Sequence, residues 1–174
     1  MKHGLLDRER IKSMSVAFTK ESDAESTAAD LPDRPISPHA NLVTPKGLAL
    51  IDAALAEARA AYTAAQAAGG VEGDRTAMAR ATRDLRYWSA RRASAQLVQP
   101  QPDSKLLAFG GLATFEREDG RKQSFRIVGE DEADPAKGAV SYVSPLAQAL
   151  LGKAVGDVAA VAGAEVELTA IENG

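Results

Sequence analysis

The sequence predicts an α+β protein, in which an antiparallel helical hairpin precedes a small domain of β-strands with one short helix. Two apolar stripes at helical spacing, separated by a short glycine-containing loop, predict the hairpin. Five alternating apolar runs bounded by turn residues then predict the strands. At 174 residues and 45% apolar, the chain suits one average domain or two small ones. We assign a disordered polar tail to residues 1–43, the coiled-coil hairpin to 44–99, a linker to 100–104 and the C-terminal domain to 105–174.

The composition excludes several classes of protein. No apolar run approaches the roughly 18 residues that a membrane span needs. The absence of cysteine excludes disulfides and thiolate catalysis and fits a reducing compartment. Both histidines, His3 and His39, lie in the polar N-terminal segment, so we expect no histidine-based metal or catalytic site. We predict a cytoplasmic protein that does not contact a membrane.

The net charge of −3 hides an asymmetry between the two halves. Residues 44–98 hold eight Lys/Arg and five Asp/Glu, which gives +3, whereas residues 104–174 hold seven and eleven, which gives −4. A basic arm beside an acidic body indicates a partner that binds in a fixed electrostatic orientation. Ordinary surface charge is the alternative interpretation.

The N-terminal segment has the composition of a disordered chain. Three prolines within residues 32–38 exclude a regular helix or strand there. Too little apolar surface is present to offset the entropy cost of ordering residues 1–43. The segment lacks the apolar core of a signal peptide, and Met14 begins a second plausible start.

The first helix is predicted to begin at Thr44 and Pro45. Threonine caps free backbone amides, and proline at the first helical position has no N–H to lose. Gly69 and Gly70 end the helix. Its heptad stripe consists of Leu48, Ile51, Leu55, Ala58, Tyr62 and Ala65.

The second helix is predicted from about Thr76 to Val98, so that each arm is roughly 35 Å long at 1.5 Å per residue. Its stripe consists of Met78, Ala81, Leu85, Trp88, Arg92 and Ala95. Its outer face is predicted to carry Arg75, Arg80, Arg83, Arg86 and Arg91. That face is either a solvated charged surface or an arm that enters an acidic or nucleic-acid-lined channel.

Strand and helix signals follow the linker. Ser144 and Pro145 cap and start a short helix over residues 146–151, which Gly152 stops. The predicted strands cover residues 112–116, 123–128, 139–143, 158–161 and 165–171.

Several blocks of the C-terminal domain resemble one known family. They are residues 127–134 (IVGEDEAD), Gly138, 144–147 (SPLA), 149–153 (ALLGK) and 155–157 (VGD). In this order they are similar to the C-terminal domain of the bacterial GreA/GreB transcript-cleavage and elongation factors. The resemblance covers roughly residues 44–172 and implies a shortened coiled coil followed by an FKBP-like domain with a curved antiparallel sheet. It also implies docking on RNA polymerase at the rim of the secondary channel, with the hairpin inserted towards the catalytic magnesium.

In that family a Gly-Asp-x-x-Glu-Asn pattern at the hairpin tip supplies two acidic residues that help to hold a second Mg²⁺. Here Asp74 matches the first acid, but Ala77 stands at the second position and Met78 replaces the asparagine. Glu72 is the other candidate carboxylate at the tip. Mg²⁺ prefers hard oxygen ligands, so the loss of one acid weakens such a site. Asp74 also suits a purely structural role as N-cap of the second helix.

The resemblance implies a polymerase-docking surface formed by the helix start and the acidic loop. Its candidate residues are Ser144, Pro145, Leu146, Asp131 and Glu132. A simple helix start and a solvated turn are the alternatives. We expect no catalytic activity, metal site or cofactor in the isolated protein, and any Mg²⁺ at the tip would be shared with RNA polymerase. Nucleic acid is expected to be contacted only indirectly, within the elongation complex, and the protein is expected to be a monomer with weak self-association.

The leading hypothesis is therefore an elongation regulator whose cleavage stimulation is doubtful. A channel-blocking regulator without cleavage activity, as in the Rnk-type members, is the first alternative. An FKBP-like prolyl isomerase is a remote one, because such a site needs an apolar pocket of several aromatic rings. Strand alternation instead places at least Phe115 and Phe125 in the core. A coiled-coil adaptor without polymerase contact is the third.

Overall fold

The computed structural model describes residues 31–174, so most of the predicted tail lies outside the described residues. The described chain forms two compact units. One contains residues 31–35 and 56–88, and the other contains residues 36–55 and 89–174. The boundary between them falls inside both long helices and not at the predicted linker 100–104. The start of the first helix and the end of the second belong to the same unit as the C-terminal domain, because Thr44 hydrogen-bonds to Glu132 and Arg91 to Asp131.

The two predicted helices are present. Helix α1 spans Pro45–Ala67, a 3₁₀ turn spans Gly70–Glu72, and helix α2 spans Arg75–Ser94. Asp52 of α1 pairs with Arg92 of α2 at 2.5 Å, so the start of one helix lies beside the end of the other, as in an antiparallel hairpin. No helix within residues 31–174 is long and apolar enough to cross a bilayer.

Helix α2 ends four residues before the predicted Val98, because the chain then forms a strand. Strand β2, Gln96–Leu97, pairs in parallel with strand β1, Leu42–Val43. Strand β1 lies inside the segment predicted to be a disordered tail, so the tail prediction extended too far along the chain. Asn41 and Val43 are buried, and their carbonyl groups accept hydrogen bonds from the chain that follows α2.

The C-terminal domain is a five-stranded sheet in the order β5-β4-β3-β7-β6. The strands are β3 Leu112–Arg117, β4 Lys122–Val128, β5 Ala139–Ser141, β6 Val158–Val161 and β7 Ala164–Glu172, with helix α3 at Pro145–Leu150. The predicted α+β class and the predominantly antiparallel sheet are confirmed. One edge differs, because β5 pairs with β4 in parallel. The loop between them is long enough to carry the chain back along the sheet.

The core of this domain lies between the sheet and α3. Phe115, Ile127, Leu150 and Leu168 are at most 1% exposed. Phe125 packs against this core and stacks on Phe115 at 6.2 Å between ring centroids. The expectation that these two rings belong to the core is confirmed, and both are occupied in packing the domain.

Candidate functional site

The tip of the hairpin is a tight turn that depends on glycine. The amide of Gly73 donates to the carbonyl of Gly69 at 3.2 Å. A Cβ atom on Gly73 would lie 2.4 Å from the carbonyl oxygen of Ala68, so no other residue fits without moving the backbone. This turn fixes where Glu72 and Asp74 leave the hairpin.

Asp74 is the N-cap of α2, as the capping interpretation predicted. Its Oδ1 accepts a hydrogen bond from the amide of Ala77 at 2.9 Å, and its carbonyl accepts from the amide of Met78 at 3.0 Å. The capping bond satisfies one of the free amides at the helix start. Asp74, Ala77 and Glu72 are all exposed, so the tip presents their side chains to a partner.

The tip does not assemble a metal site of its own. Within residues 31–174, no group of three or more His, Cys, Asp or Glu side chains is placed to hold a metal ion. Of the two acidic positions implied by the resemblance, only Asp74 carries oxygen ligands, and one of its oxygens already accepts the capping bond. The donor set at the tip therefore does not fit a Mg²⁺ ion held by this chain alone.

The acidic loop that follows β4 is engaged within the protein. The side chain of Glu132 is 4% exposed. Its Oε2 accepts a hydrogen bond from Oγ1 of Thr44 at 2.5 Å, and the same Thr44 oxygen accepts from the amide of Gly47 at 2.9 Å. Thr44 thus caps α1, as predicted. Because α1 has no acidic residue in its own first turn, Glu132 supplies the negative charge that favours a helix N-terminus.

Arg91 is the centre of a second buried cluster. It is 2% exposed, and its Nε donates to Oδ2 of Asp131 at 2.6 Å. Its Nη2 donates to Oδ1 of Asn41 at 2.7 Å and lies 3.9 Å from Glu130 Oε2. The amide of Asn41 in turn donates to the carbonyl of Arg91 at 2.7 Å. A guanidinium group has five donors in a rigid fork, which suits it to join three segments in this way.

These contacts correct two predictions. Arg91 was placed on the outer face of α2, and Arg92 on the inner stripe. Arg91 is instead buried, whereas Arg92 has a side chain 44% exposed. Asp131 and Glu132 were predicted to dock on polymerase, but both carboxylates bind groups of the same unit, so they are not available as a surface for a partner. Sequence reasoning fails here because Asp131 and Glu132 lie 40 and 88 residues away in the sequence from Arg91 and Thr44, the groups that they bind.

The close approach of the acidic loop to β1 depends on Gly129. A Cβ atom at that position would lie 2.4 Å from the carbonyl oxygen of Leu42. The hydroxyl of Tyr142 adds a further tie by donating to the carbonyl of Ala40 at 2.6 Å. Burial, and secondly the negative charge of Glu130, raise the pKa of Tyr142 above its usual value, which keeps the hydroxyl protonated as a donor.

The predicted docking corner at the start of α3 has one outward-facing residue. Oγ of Ser144 accepts from the amide of Ala147 at 3.2 Å, so Ser144 is the N-cap of α3. Leu146 is half-buried and packs against the core. Pro145 is exposed. Ser144 and Leu146 therefore support the corner, and Pro145 is the residue that a partner would meet.

Sequence reasoning missed Asn41 and the roles of Arg91 and Thr44 in holding the acidic loop. The prolines that precede Asn41 predict instead that it belongs to the tail. The available signals are local: Asn41 comes directly before the apolar pair Leu42 and Val43, and Arg91 lies in the last turn of α2. Neither signal identifies the partner, because that depends on which segments meet in the fold.

Comparison with known proteins establishes the family. The family described as “Transcription elongation factor, GreA/GreB, C-term” matches residues 102–173. The transcription elongation factor GreB of Xanthomonas axonopodis pv. citri is 38% identical over 134 residues, which cover 67% of this chain and 79% of that protein. This chain belongs to the GreA/GreB family. The resemblance inferred from the sequence blocks is thereby confirmed.

Other relatives match over shorter stretches. GreB of Pasteurella multocida is 40% identical over 77 residues, covering 43% of this chain and 48% of that protein. GreA of Bacillus licheniformis is 48% identical over 56 residues, covering 32% and 35%. The matched stretch is thus about half or less of these two GreA/GreB proteins. The solved GreA factor homolog 1 (Gfh1) of Thermus thermophilus is 19% identical with a TM-score of 0.37, over 77% of this chain and 99% of that chain, which is too distant to inform function.

Proposed function

We propose that this protein regulates transcript elongation by binding RNA polymerase at the rim of the secondary channel, with its hairpin inserted towards the active site. Membership of the GreA/GreB family supports the partner, and the exposed, capped tip supports the mode of action. The observation that carries the proposal is the tip itself, where Asp74 begins α2 in an exposed position and Ala77 stands where the family has its second acid.

We further propose that stimulation of transcript cleavage is weak. Hydrolysis at a two-metal site requires that the second ion be retained. Of the two acidic positions of the motif, this chain offers only Asp74, so a shared Mg²⁺ would gain fewer oxygen ligands from the tip. The chemistry would remain with polymerase, and this protein would act by occupying the channel and positioning one carboxylate. It would then have no catalytic activity of its own.

Cleavage of the nascent RNA in a stalled, backtracked elongation complex tests the role of the tip. We expect the native protein to give slow cleavage and Ala77→Glu to accelerate it, because the new carboxylate would restore the second ligand. Glu at this position also suits the helix start, since the third residue after an N-cap favours Glu. Ala77→Gln is the matched control, because it has similar size and no charge.

Two substitutions of Asp74 separate its two roles. Asparagine is as good an N-cap as aspartate, so Asp74→Asn keeps the turn and removes the charge, whereas Asp74→Ala removes both. If the residual activity depends on the carboxylate, both variants lose it equally. Vigorous cleavage by the native protein, unaffected by Asp74→Asn, would refute the proposed weak single-carboxylate tip.

Docking is tested separately by binding to core RNA polymerase. We propose that the corner at Ser144, Pro145 and Leu146 contacts the polymerase, with Pro145 at the surface. Pro145→Glu should weaken binding, and Pro135→Glu is its control because Pro135 is likewise an exposed proline at the first position of a short helix. Equal affinity of the two variants would show that the docking surface lies elsewhere on the protein.

A further inference from the structure

The segment just before the first ordered strand lies against helix α2. The guanidinium group of Arg34 is 3.6 Å from the ring centroid of Tyr87 and 5.2 Å from that of Trp88. It also lies 3.5 Å from Oδ1 of Asp84. A cation over two aromatic rings, with a carboxylate beside it, is a specific contact and more than a chance encounter of charges. Residues 31–35 are therefore anchored along the second arm of the hairpin.

A groove of about 270 Å³ opens beside this anchor, within the same compact unit. Leu31 and Asp33 form one side of it, and Asp33 also pairs with Arg86 at 3.4 Å. The other side is formed by the 3₁₀ turn and α2, through Val71, Arg75, Met78, Ala79, Thr82, Arg83 and Arg86. The groove is thus lined by three arginines and by apolar side chains.

The basic groups of the groove exceed the acidic groups that face them. Among residues 31–174, Asp33 is the one carboxylate that lines it, against Arg75, Arg83 and Arg86. The Nε of Arg83 is buried and has no hydrogen-bond partner among the described residues, although Oδ1 of Asp84 lies 3.5 Å away. With three guanidinium groups against one carboxylate in its described lining, the groove favours an acidic occupant.

The chain itself carries such an occupant immediately upstream. Residues 21–30 read ESDAESTAAD, with four carboxylates and no basic residue. Residue 30 adjoins Leu31, which lines the groove. Ten extended residues can span up to roughly 33–36 Å, so the acidic side chains can reach every arginine of the groove. Because a short connection joins this segment to the groove, its effective concentration there exceeds that of a separate acidic peptide.

We propose that residues 21–30 bind in this groove and cover its arginines with their carboxylates. The segment would then compete with negatively charged partners for the arginines of the hairpin. The consequence for polymerase rests on the proposed function. The bound segment would lower the affinity of the hairpin for the polymerase channel until the segment is displaced. The proposal does not depend on the acids at the tip, because Glu72 and Asp74 do not line the groove.

A spin label tests the position of the segment without polymerase. Because the chain has no cysteine, Ser26→Cys gives one attachment site for a nitroxide. In the full chain, we expect the nitroxide to broaden the amide resonances of residues 75–86. The control carries the same label with Glu21→Gln, Asp23→Asn, Glu25→Gln and Asp30→Asn, and we expect clearly weaker broadening, because only the short connection to Leu31 then keeps the label near α2. No broadening in the acidic chain, or equal broadening in both, would overturn the proposal.

Polymerase binding tests the consequence separately. The neutralised chain should bind core RNA polymerase about two- to tenfold more tightly than the acidic chain at low salt, with the difference fading at high salt. Unchanged affinity alongside clear broadening would overturn the regulatory role. If neither protein binds polymerase, the proposed function fails, and the spin-label result still decides whether the segment covers the groove.

Discussion

The tip of the hairpin and the cluster around Arg91 both depend on charged side chains, but they use them in opposite ways. At the tip, Glu72 and Asp74 are exposed, and one capping bond is the only hydrogen bond between side chain and backbone described there. In the cluster, Arg91 is buried and its partners Asp131 and Asn41 come from distant segments.

The contrast between these two regions indicates which residues can change without loss of the fold. An exposed carboxylate at the tip contributes little to stability, so a tip position can change without loss of the fold. Ala77, which replaces the second acid of the family motif, is an example. A buried ion pair is weak evidence for net stabilisation, yet removing one partner leaves the other uncompensated. We therefore expect substitutions in the cluster to affect folding, and substitutions at the tip to affect activity.

The largest effect is expected for Arg91→Leu. Loss of the guanidinium group removes its hydrogen bonds to Asp131 and Asn41 from a largely buried cluster, which should lower the free energy of unfolding by about 3–5 kcal/mol. Arg92→Leu is the control, because Arg92 is adjacent in sequence but pairs with Asp52 in an exposed position. It should cost about 1 kcal/mol or less. Urea unfolding followed by circular dichroism measures both, and equal costs would show that the cluster does not stabilise this unit.

An intermediate effect is expected for Gly129→Ala. The new methyl group would meet the carbonyl oxygen of Leu42, a backbone atom that cannot move alone, so a cost of about 1–3 kcal/mol is expected. Gly47→Ala is a sharp comparison. Its methyl group would meet the carboxylate of Glu132, a side chain that can shift where a backbone carbonyl cannot, and alanine gains helix propensity in α1. Thermal unfolding should therefore rank Gly129→Ala as the less stable variant, and the reverse order would contradict this account of the loop.

The smallest effect is expected at the tip. Asp74→Ala removes the N-cap of α2 and should cost about 1 kcal/mol, whereas Asp74→Asn should be nearly neutral. Hydrogen exchange of the first amides of α2 measures the loss locally. If Asp74→Ala and Asp74→Asn are equally protected, the cap contributes nothing to the helix start, and the exposed carboxylate of Asp74 would serve only a partner.

The regular elements were predictable because each has a local cause. Pro45 and Gly69 delimit α1, and the positions of β6 and β7 follow from alternation around a glycine turn. The ends of α2 and of the tail were not predictable, because Leu42 and Gln96 pair across the hairpin. Backbone pairing between distant segments overrides both helix propensity and the disorder expected of a proline-rich stretch.

The sequence alone determined the family, the helical hairpin, the five strands and the altered tip, because these depend on periodicity, turn residues and short motifs read in order. Which charges are available to a partner depends instead on how distant segments pack together. Arg91 and Arg92 are neighbours in one helix, and Glu132 and Pro145 were both candidates for docking. Contacts with segments about 40 to 90 residues away bury Arg91 and Glu132, whereas Arg92 and Pro145 stay exposed. No local sequence pattern predicts which carboxylate meets which cation.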